Sequence, residues 1–370
     1  MKTTNYAKSI FTLLLIFAII ITAVILKLLS SVVLPILISI LLAFVFYPLC
    51  KKLHRLHIPW ILCIAAIYIV TFVFFYIVGN LLIASMSSII GAYPKYEQRF
   101  SIIYQTICSK LHIEYDANSS LFANILSLGS ARDSIQSLAL LLSSTLMSFG
   151  KQLTLILLLS VFLLVEMQSL KNKVTIAFSD ADLGNTIIKI VTHTVSDVTH
   201  FLSIKFIISL ITGIIIFVAA FAIGLDFPIV WGFLAFVMNF IPTFGSIASC
   251  GLTIIFSILQ FYPDFSRVII IALVLVLTNM ILGNIVEPRW EGADLGLSPF
   301  IILVSLSFWG WMWGFLGMIL AVPLTVIVKI ICENVDILKP IAIIIGGKPK
   351  MKTLTQGNAG LPFLDSEGDK

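Results

Sequence analysis

Formal charges are absent from eight stretches of this chain, 9–26, 28–50, 58–94, 152–165, 206–225, 227–263, 268–286 and 295–328, and crowd into the segments between them. A bilayer core of about 30 Å is crossed by about 20 apolar helical residues, so several of these stretches are long enough to span. The pattern predicts helical spans at about 9–26, 32–50, 60–83, 151–167, 203–224 and 268–286.

Two apolar runs do not fit a plain span. The run 227–260 would measure about 51 Å as one helix, too long for one crossing and too short for two with a turn, and Asn239-Phe240-Ile241-Pro242-Thr243-Phe244-Gly245 interrupts it near its middle. Proline and glycine there end a helix, so a re-entrant helical hairpin is expected. The run 298–328 has the same problem, with Pro299 at its start and a break expected within Trp309-Gly310-Trp311-Met312-Trp313-Gly314. The order becomes span, hairpin, span, hairpin, with the halves entering from opposite sides. The predicted fold is an all-α polytopic bundle with two re-entrant hairpins in an inverted repeat, an arrangement that places transport sites at interrupted helices.

Composition supports this class: 59% of residues are apolar and 11% charged, against about 25% charged in soluble domains, and the mean hydropathy is +1.11. The net charge of +5 points to no nucleic-acid partner, because the basic residues lie in short clusters flanking apolar runs. Lys2 and Lys8, Lys51, Lys52 and Arg55, Lys171 and Lys173, and Lys329 to Lys352 mark cytoplasmic sides, which puts both termini in the cytoplasm and the lipid bilayer around the chain. The expected regions are three N-terminal spans (1–83), an amphipathic extracytoplasmic helical region (84–150), a fourth span with a cytoplasmic linker helix (151–200), a transport core (201–335) and a tail (336–370).

The chemistry expected of the core is that of neutral oxygens and a few charges. Around the first tip, Asn239, Thr243, Ser246 and Ser249, with carbonyls freed beside Pro242, suit a cation or a polyhydroxylated solute; helix-to-helix hydrogen bonding is the alternative reading. Thr278 and Asn279 sit within the intervening span, and Asn284 and Glu287 lie three apart at its end. A carboxylate kept near membrane depth costs about 2.5–3.5 kcal/mol to insert, so Glu287 is the candidate for ion or proton coupling, unless it closes the helix end by pairing with Arg289. Asp226 is a gate or cation ligand, or else a solvated loop acid. Gly310, Gly314 and Gly317 read as close-packing positions, and Trp309, Trp311 and Trp313 line a cavity or cluster at an interface. Cys50, Cys63, Cys108, Cys250 and Cys332 have no metal spacing and read as small buried apolar residues. No cofactor or resident metal is expected, only a transported Na+ or H+.

Three motifs carry a family resemblance in combination: Asn239 to Gly245, Gly283-Asn284-Ile285-Val286-Glu287-Pro288-Arg289, and Leu297-Ser298-Pro299 through Phe308-Trp309-Gly310-Trp311 to Ala321-Val322-Pro323-Leu324. With Pro35, Pro48 and Tyr93-Pro94, they make the chain, over about residues 10–340, resemble the autoinducer-2 exporter family of bacterial membrane proteins. The resemblance implies a permease of the bacterial cytoplasmic membrane, assembled as a homo-oligomer, a pentamer, with Asn239, Pro242, Gly245, Asn284, Glu287 and Arg289 on its motifs. It implies release of a small polar solute such as autoinducer-2, or exchange of Na+ or Li+ for H+. A passive oligomeric channel or scaffold is the alternative. An enzyme is not expected: no His-Glu-x-x-His helix occurs, all five histidines precede the first hairpin, and Gly346-Gly347-Lys348-Pro349 is no phosphate-binding loop.

Overall fold

The computed structural model describes residues 3–111, 150–167, 169, 173, 176, 181–291, 297–334 and 338–346. Most of the 84–150 region beyond 111, Lys171, and the tail beyond 346 lie outside them. The described residues form helices, joined in one place by an isolated bridge between Leu297 and Gly346. Seven of the described helical segments are long and apolar enough to cross a membrane.

Helices α1 (Thr3–Leu28) and α2 (Ser30–His54) meet at an elbow at Leu29. Helix α3 (Trp60–Leu111) runs for 52 residues without a break at 83/84, so the third span continues into the region expected beyond it. Helix α4 spans Gly150–Met167. Polar contacts tie these helices: the Ser39 hydroxyl donates to the Ile156 carbonyl at 3.0 Å, and the Tyr68 hydroxyl to Ser160 Oγ at 2.5 Å. Ala43, Cys50, Cys63, Ile64 and Leu164 fill the core between α2, α3 and α4. All five cysteines are free and four are buried, as their apolar settings predict.

Helix α5 (Ala181–Ile223) joins the linker to the fifth span in one 43-residue helix. It crosses α6 (Pro228–Met238) at mutually facing glycines: a Cβ on Gly213 would lie 2.8 Å from the Gly232 carbonyl oxygen, and one on Gly232 would lie 2.8 Å from that of Gly213. Small residues permit such close approach in membranes, where contact rather than water exclusion drives packing.

The chain turns at Asn239–Thr243 and returns as α7 (Phe244–Phe261), packed on α6. With 11 residues α6 is about 16 Å long, too short to cross, whereas α7 reaches about 27 Å. After a short loop, α8 (Phe265–Thr278) runs into a π-helical stretch, Asn279–Val286, and then α9 (Glu287–Glu291).

Helix α10 (Pro299–Asn334) is broken at Trp313 (φ −131°) and Gly314 (φ +63°), the end of the motif where a break was expected. It folds back there. Thr325 donates to Ser305 Oγ at 2.8 Å, a contact that a straight helix would separate by about 30 Å. Trp309 and Trp313 stack at 5.1 Å, the Trp313 indole N–H donates to the Leu26 carbonyl, and Lys27 lies 3.8 Å over the Trp311 ring. The tryptophans therefore anchor this tip on the α1–α2 elbow. Helix α11 (Lys339–Ile345) follows.

The two turns share a construction. Each holds one residue at positive φ, Thr243 at +63° and Gly314 at +63°. Each is followed by a glycine jammed against the preceding arm: a Cβ on Gly245 would lie 1.7 Å from the Met238 carbonyl oxygen, and one on Gly317 would lie 1.9 Å from that of Trp309.

Candidate functional site

The first turn packs onto the arms of the second hairpin. Ile241, 4% exposed, forms one buried cluster with Leu306 and Ala321, which belong to the two arms of α10. The buried Ser305–Thr325 hydroxyl pair lies on the same arms. Asn239 is held in the turn by donating from Nδ2 to Ser209 Oγ of α5 at 3.0 Å, both residues being buried.

The carbonyls expected to be free beside Pro242 are not. Ile241, Pro242 and Thr243 each accept a backbone N–H at 3.1, 2.7 and 3.2 Å, and Thr243 also accepts the Ser246 hydroxyl. The turn closes on itself because consecutive i→i+2 and i→i+4 bonds use those oxygens. Its polar side chains are the Asn239 amide, which donates to Ser209, and the hydroxyls of Thr243 and Ser246. Along α7, Ser249, Thr253, Ser257 and Gln260 are buried on one helical face. Asn279 crosses to this helix, donating to Cys250 Sγ at 2.7 Å, with Thr278 buried beside it.

One turn along α5 from Ser209, Lys205 forms an ion pair with Glu287. The side chains are 5% and 15% exposed. Glu287 thus pairs with Lys205, whereas Arg289 is exposed, and so is Asn284. Asn284 is exposed whereas the Glu287 side chain is largely buried, at the end of a stretch, Asn279–Val286, that is wound as a π-helix. A π turn holds an extra residue in each hydrogen-bonded ring, which rotates the following residues relative to α-geometry; such stretches recur at functional sites. Gly310 faces Met318, 2.9 Å from a Cβ built on it, a flexible neighbour rather than a backbone.

Asp226 stands apart from this constellation, beyond the end of α5 about 27 Å along the helix from Lys205. Its side chain is 32% exposed and is paired. Lys95 donates to its Oδ2 at 2.6 Å and Tyr96 donates to the same oxygen. Its backbone N–H donates to Gln260 Oε1 at 2.7 Å, and Gln260 Nε2 donates to the Gly224 carbonyl at 2.8 Å. Arg99 Nη1 caps the far loop, donating to the Gln260 and Tyr262 carbonyls at 2.6 and 3.1 Å. The Tyr96 ring packs on Phe227 and Phe256. The extension of α3 therefore clamps both ends of the first hairpin.

Burial acts to raise the Asp226 carboxyl, but the bonds from Lys95 and Tyr96 and the charges of Lys95 and Arg99 outweigh it and hold the group below its ordinary 3.8. The Tyr96 phenol moves up, first through burial and then through its bond to that carboxylate. A carboxyl depressed in the folded state stabilises fully above its unfolded value, and the stabilisation is lost as pH falls through the lower folded value. Asp226→Asn should therefore lower thermal stability at pH 7, and the gap to the natural protein should close as the pH is taken below about 4. Thermal unfolding of both proteins across that range measures it; a gap that widens towards acid contradicts the ion-pair assignment.

Lys205 escapes a reading by charge-free runs because it stands immediately before one. Its signal is spacing: Lys205, Ser209 and Thr212 recur at i, i+4 and i+7 in an apolar helix, all buried. Lys95, Tyr96 and Arg99 carry no comparable signal, since their partners lie 130 or more residues away.

Two helical turns packed tip against arm, among helices long and apolar enough to cross a membrane, define a polytopic membrane protein. The family described as AI-2E family transporter matches residues 11–337, and the chain belongs to this family. Among its relatives are a "putative transport protein" of Borreliella burgdorferi, 32% identical over 89% of this chain and 88% of that protein, and the "AI-2 transport protein TqsA" of Escherichia coli, 28% identical over 82% of this chain and 86% of that protein. A Haemophilus influenzae relative with the same description as the first is 30% identical over 87% of this chain and 92% of its own length.

Proposed function

We propose that this protein is a secondary transporter of the bacterial cytoplasmic membrane that exchanges a monovalent cation, Na+ or Li+, for protons, with Glu287 in the coupling path and both termini in the cytoplasm. The buried Lys205–Glu287 pair carries the reading. A buried ion pair of this kind contributes little to stability compared with apolar packing, and charged residues inside membrane spans mark ion and proton pathways.

The depths of the two turns support alternating access. On the proposed orientation, Ser209 lies 14 residues inside the outer end of α5, so the Asn239 turn reaches about 21 Å into the bilayer from outside. The break in α10 lies about 21 Å from Pro299 on the opposite side. The hairpins then overlap at mid-depth, where Ile241 meets Leu306 and Ala321. The shared turn construction supports an inverted repeat, and irregular backbone at that depth is tolerated where protein or an aqueous cavity surrounds it. The Lys205–Glu287 pair closes the cytoplasmic side below the first turn, and the Asp226 clamp holds the outer side. The family resemblance supports a homo-oligomer, a pentamer.

Proteoliposomes holding purified protein, an imposed Na+ or Li+ gradient and an internal pH dye test the coupling. The expected result is a cation-dependent pH change in the natural protein that Glu287→Gln abolishes. No pH change in vesicles shown to contain folded protein overturns the reading. The name of the Escherichia coli relative favours a second reading, export of a small polar solute of the autoinducer-2 type, and the same vesicles loaded with that solute would test it.

A further inference from the structure

Beyond the transport core, the structure holds a crevice of about 610 Å³ between α3 and the α7–α8 loop, lined by Lys95, Gln98, Arg99, Ile102, Tyr262 and Pro263. The first four recur at i, i+3, i+4 and i+7, so one face of α3 forms a wall. That wall offers an ammonium, an amide and a guanidinium above an apolar step, and among the described residues no carboxylate lines the space. Glu97 projects from the opposite face of the helix.

The acids nearby are already committed. Asp226 accepts from Lys95 and Tyr96, and Asp264 pairs with Arg267 at 3.3 Å while accepting the Ser266 backbone N–H. Arg99 makes its bonds to carbonyl oxygens through Nη1, and a guanidinium carries five N–H donors in a planar fork. With Lys95 and Arg99 set against Asp226, the crevice keeps one positive charge in excess among the described residues.

We propose that this crevice is an anion site that takes a phosphate group. The guanidinium fork matches phosphate oxygens and a neighbouring ammonium adds a second charge-assisted contact. Its depth fits a lipid headgroup: Tyr262 and Pro263 connect the end of one membrane-spanning segment, Phe244–Phe261, to the start of the next, Phe265–Trp290. Ile102 and Pro263 then lie where a glycerol or acyl ester would rest.

The test uses the full-length protein in neutral detergent. Thermal unfolding is followed while phosphatidylglycerol, or separately inorganic phosphate, is titrated at constant ionic strength, with phosphatidylcholine as the zwitterionic reference. Saturable stabilisation by phosphatidylglycerol beyond that of phosphatidylcholine supports a headgroup site, and stabilisation by inorganic phosphate as well supports a site open to soluble phosphates. Arg99→Gln should weaken the half-maximal concentration about tenfold, the loss of one charge-assisted hydrogen bond. Because Arg99 also holds the loop, Gln98→Glu provides a second variant that puts a negative charge in the crevice and leaves the clamp's hydrogen bonds in place; it should weaken binding at least as much. Stabilisation by neither phosphate source, or equal stabilisation of the natural protein and Gln98→Glu, overturns the proposal.

Discussion

Replacing Glu287 by Gln is expected to destabilise the folded protein by about 3–5 kcal/mol, because it leaves the Lys205 ammonium buried without its counter-charge. Lys205 is 5% exposed along its side chain, so water cannot take over the role of the carboxylate. Lys205→Met should cost a similar amount by stranding Glu287. The double variant Lys205→Met with Glu287→Gln removes both charges, and its cost should fall well short of the sum, the sign of direct coupling between neighbours. Unfolding of the four proteins in one detergent gives the cycle. Additive single effects near zero would mean that the pair is not formed in solution, and would remove the structural basis for placing Glu287 in a coupling path.

The second large effect is steric. Gly245→Ala and Gly317→Ala each drive a Cβ into a backbone carbonyl oxygen, at 1.7 and 1.9 Å, where nothing flexible is available to move. Overpacking in ordinary cores costs about 1–3 kcal/mol, and these two should lie at or above the top of that range, since opening either turn also separates Ile241 from Leu306 and Ala321. Gly310→Ala meets only the Met318 side chain and Gly251→Ala meets nothing within 4 Å, so both should stay close to the natural protein. Yield of monodisperse protein and thermal midpoint in detergent separate the pairs. A tolerated Gly245→Ala would show that the first turn is looser than the hydrogen bonds of Ile241, Pro242 and Thr243 imply.

Both predictions depend on features that differ in how far the chain reveals them. The breaks at Asn239–Thr243 and near Gly314 are legible because a proline or glycine inside an apolar run of wrong length leaves few alternatives. Glu287 is legible as a carboxylate at the edge of a long charge-free stretch. Its partner is not: Arg289 is the nearer cation in the chain, whereas Glu287, which follows the π-helical stretch Asn279–Val286, pairs with Lys205 of α5, 82 positions away. No local preference in Asn279-Met280-Ile281-Leu282-Gly283-Asn284-Ile285-Val286 announces that winding.

The class of protein, the two interruptions and the spans near 32–50, 60–83, 151–167, 203–224 and 268–286 are legible in the chain, because the bilayer imposes length and apolarity one segment at a time and each segment satisfies its own backbone. The span expected at 9–26 is not among the seven described helices long and apolar enough to cross, whereas Phe244–Phe261, expected as a hairpin arm, is. The family resemblance rested on motifs at those interruptions and at Gly283–Arg289, and the family match extends over residues 11–337. Tertiary structure alone decided which side chains meet. Lys205 with Glu287, Asn239 with Ser209, and Asp226 with Lys95 and Tyr96 are contacts between residues 30 to 131 positions apart. Such pairs are set by helix rotation and depth, which hydropathy does not encode: a lipid-facing turn and a buried turn of the same helix read alike in a chain where almost every position is apolar.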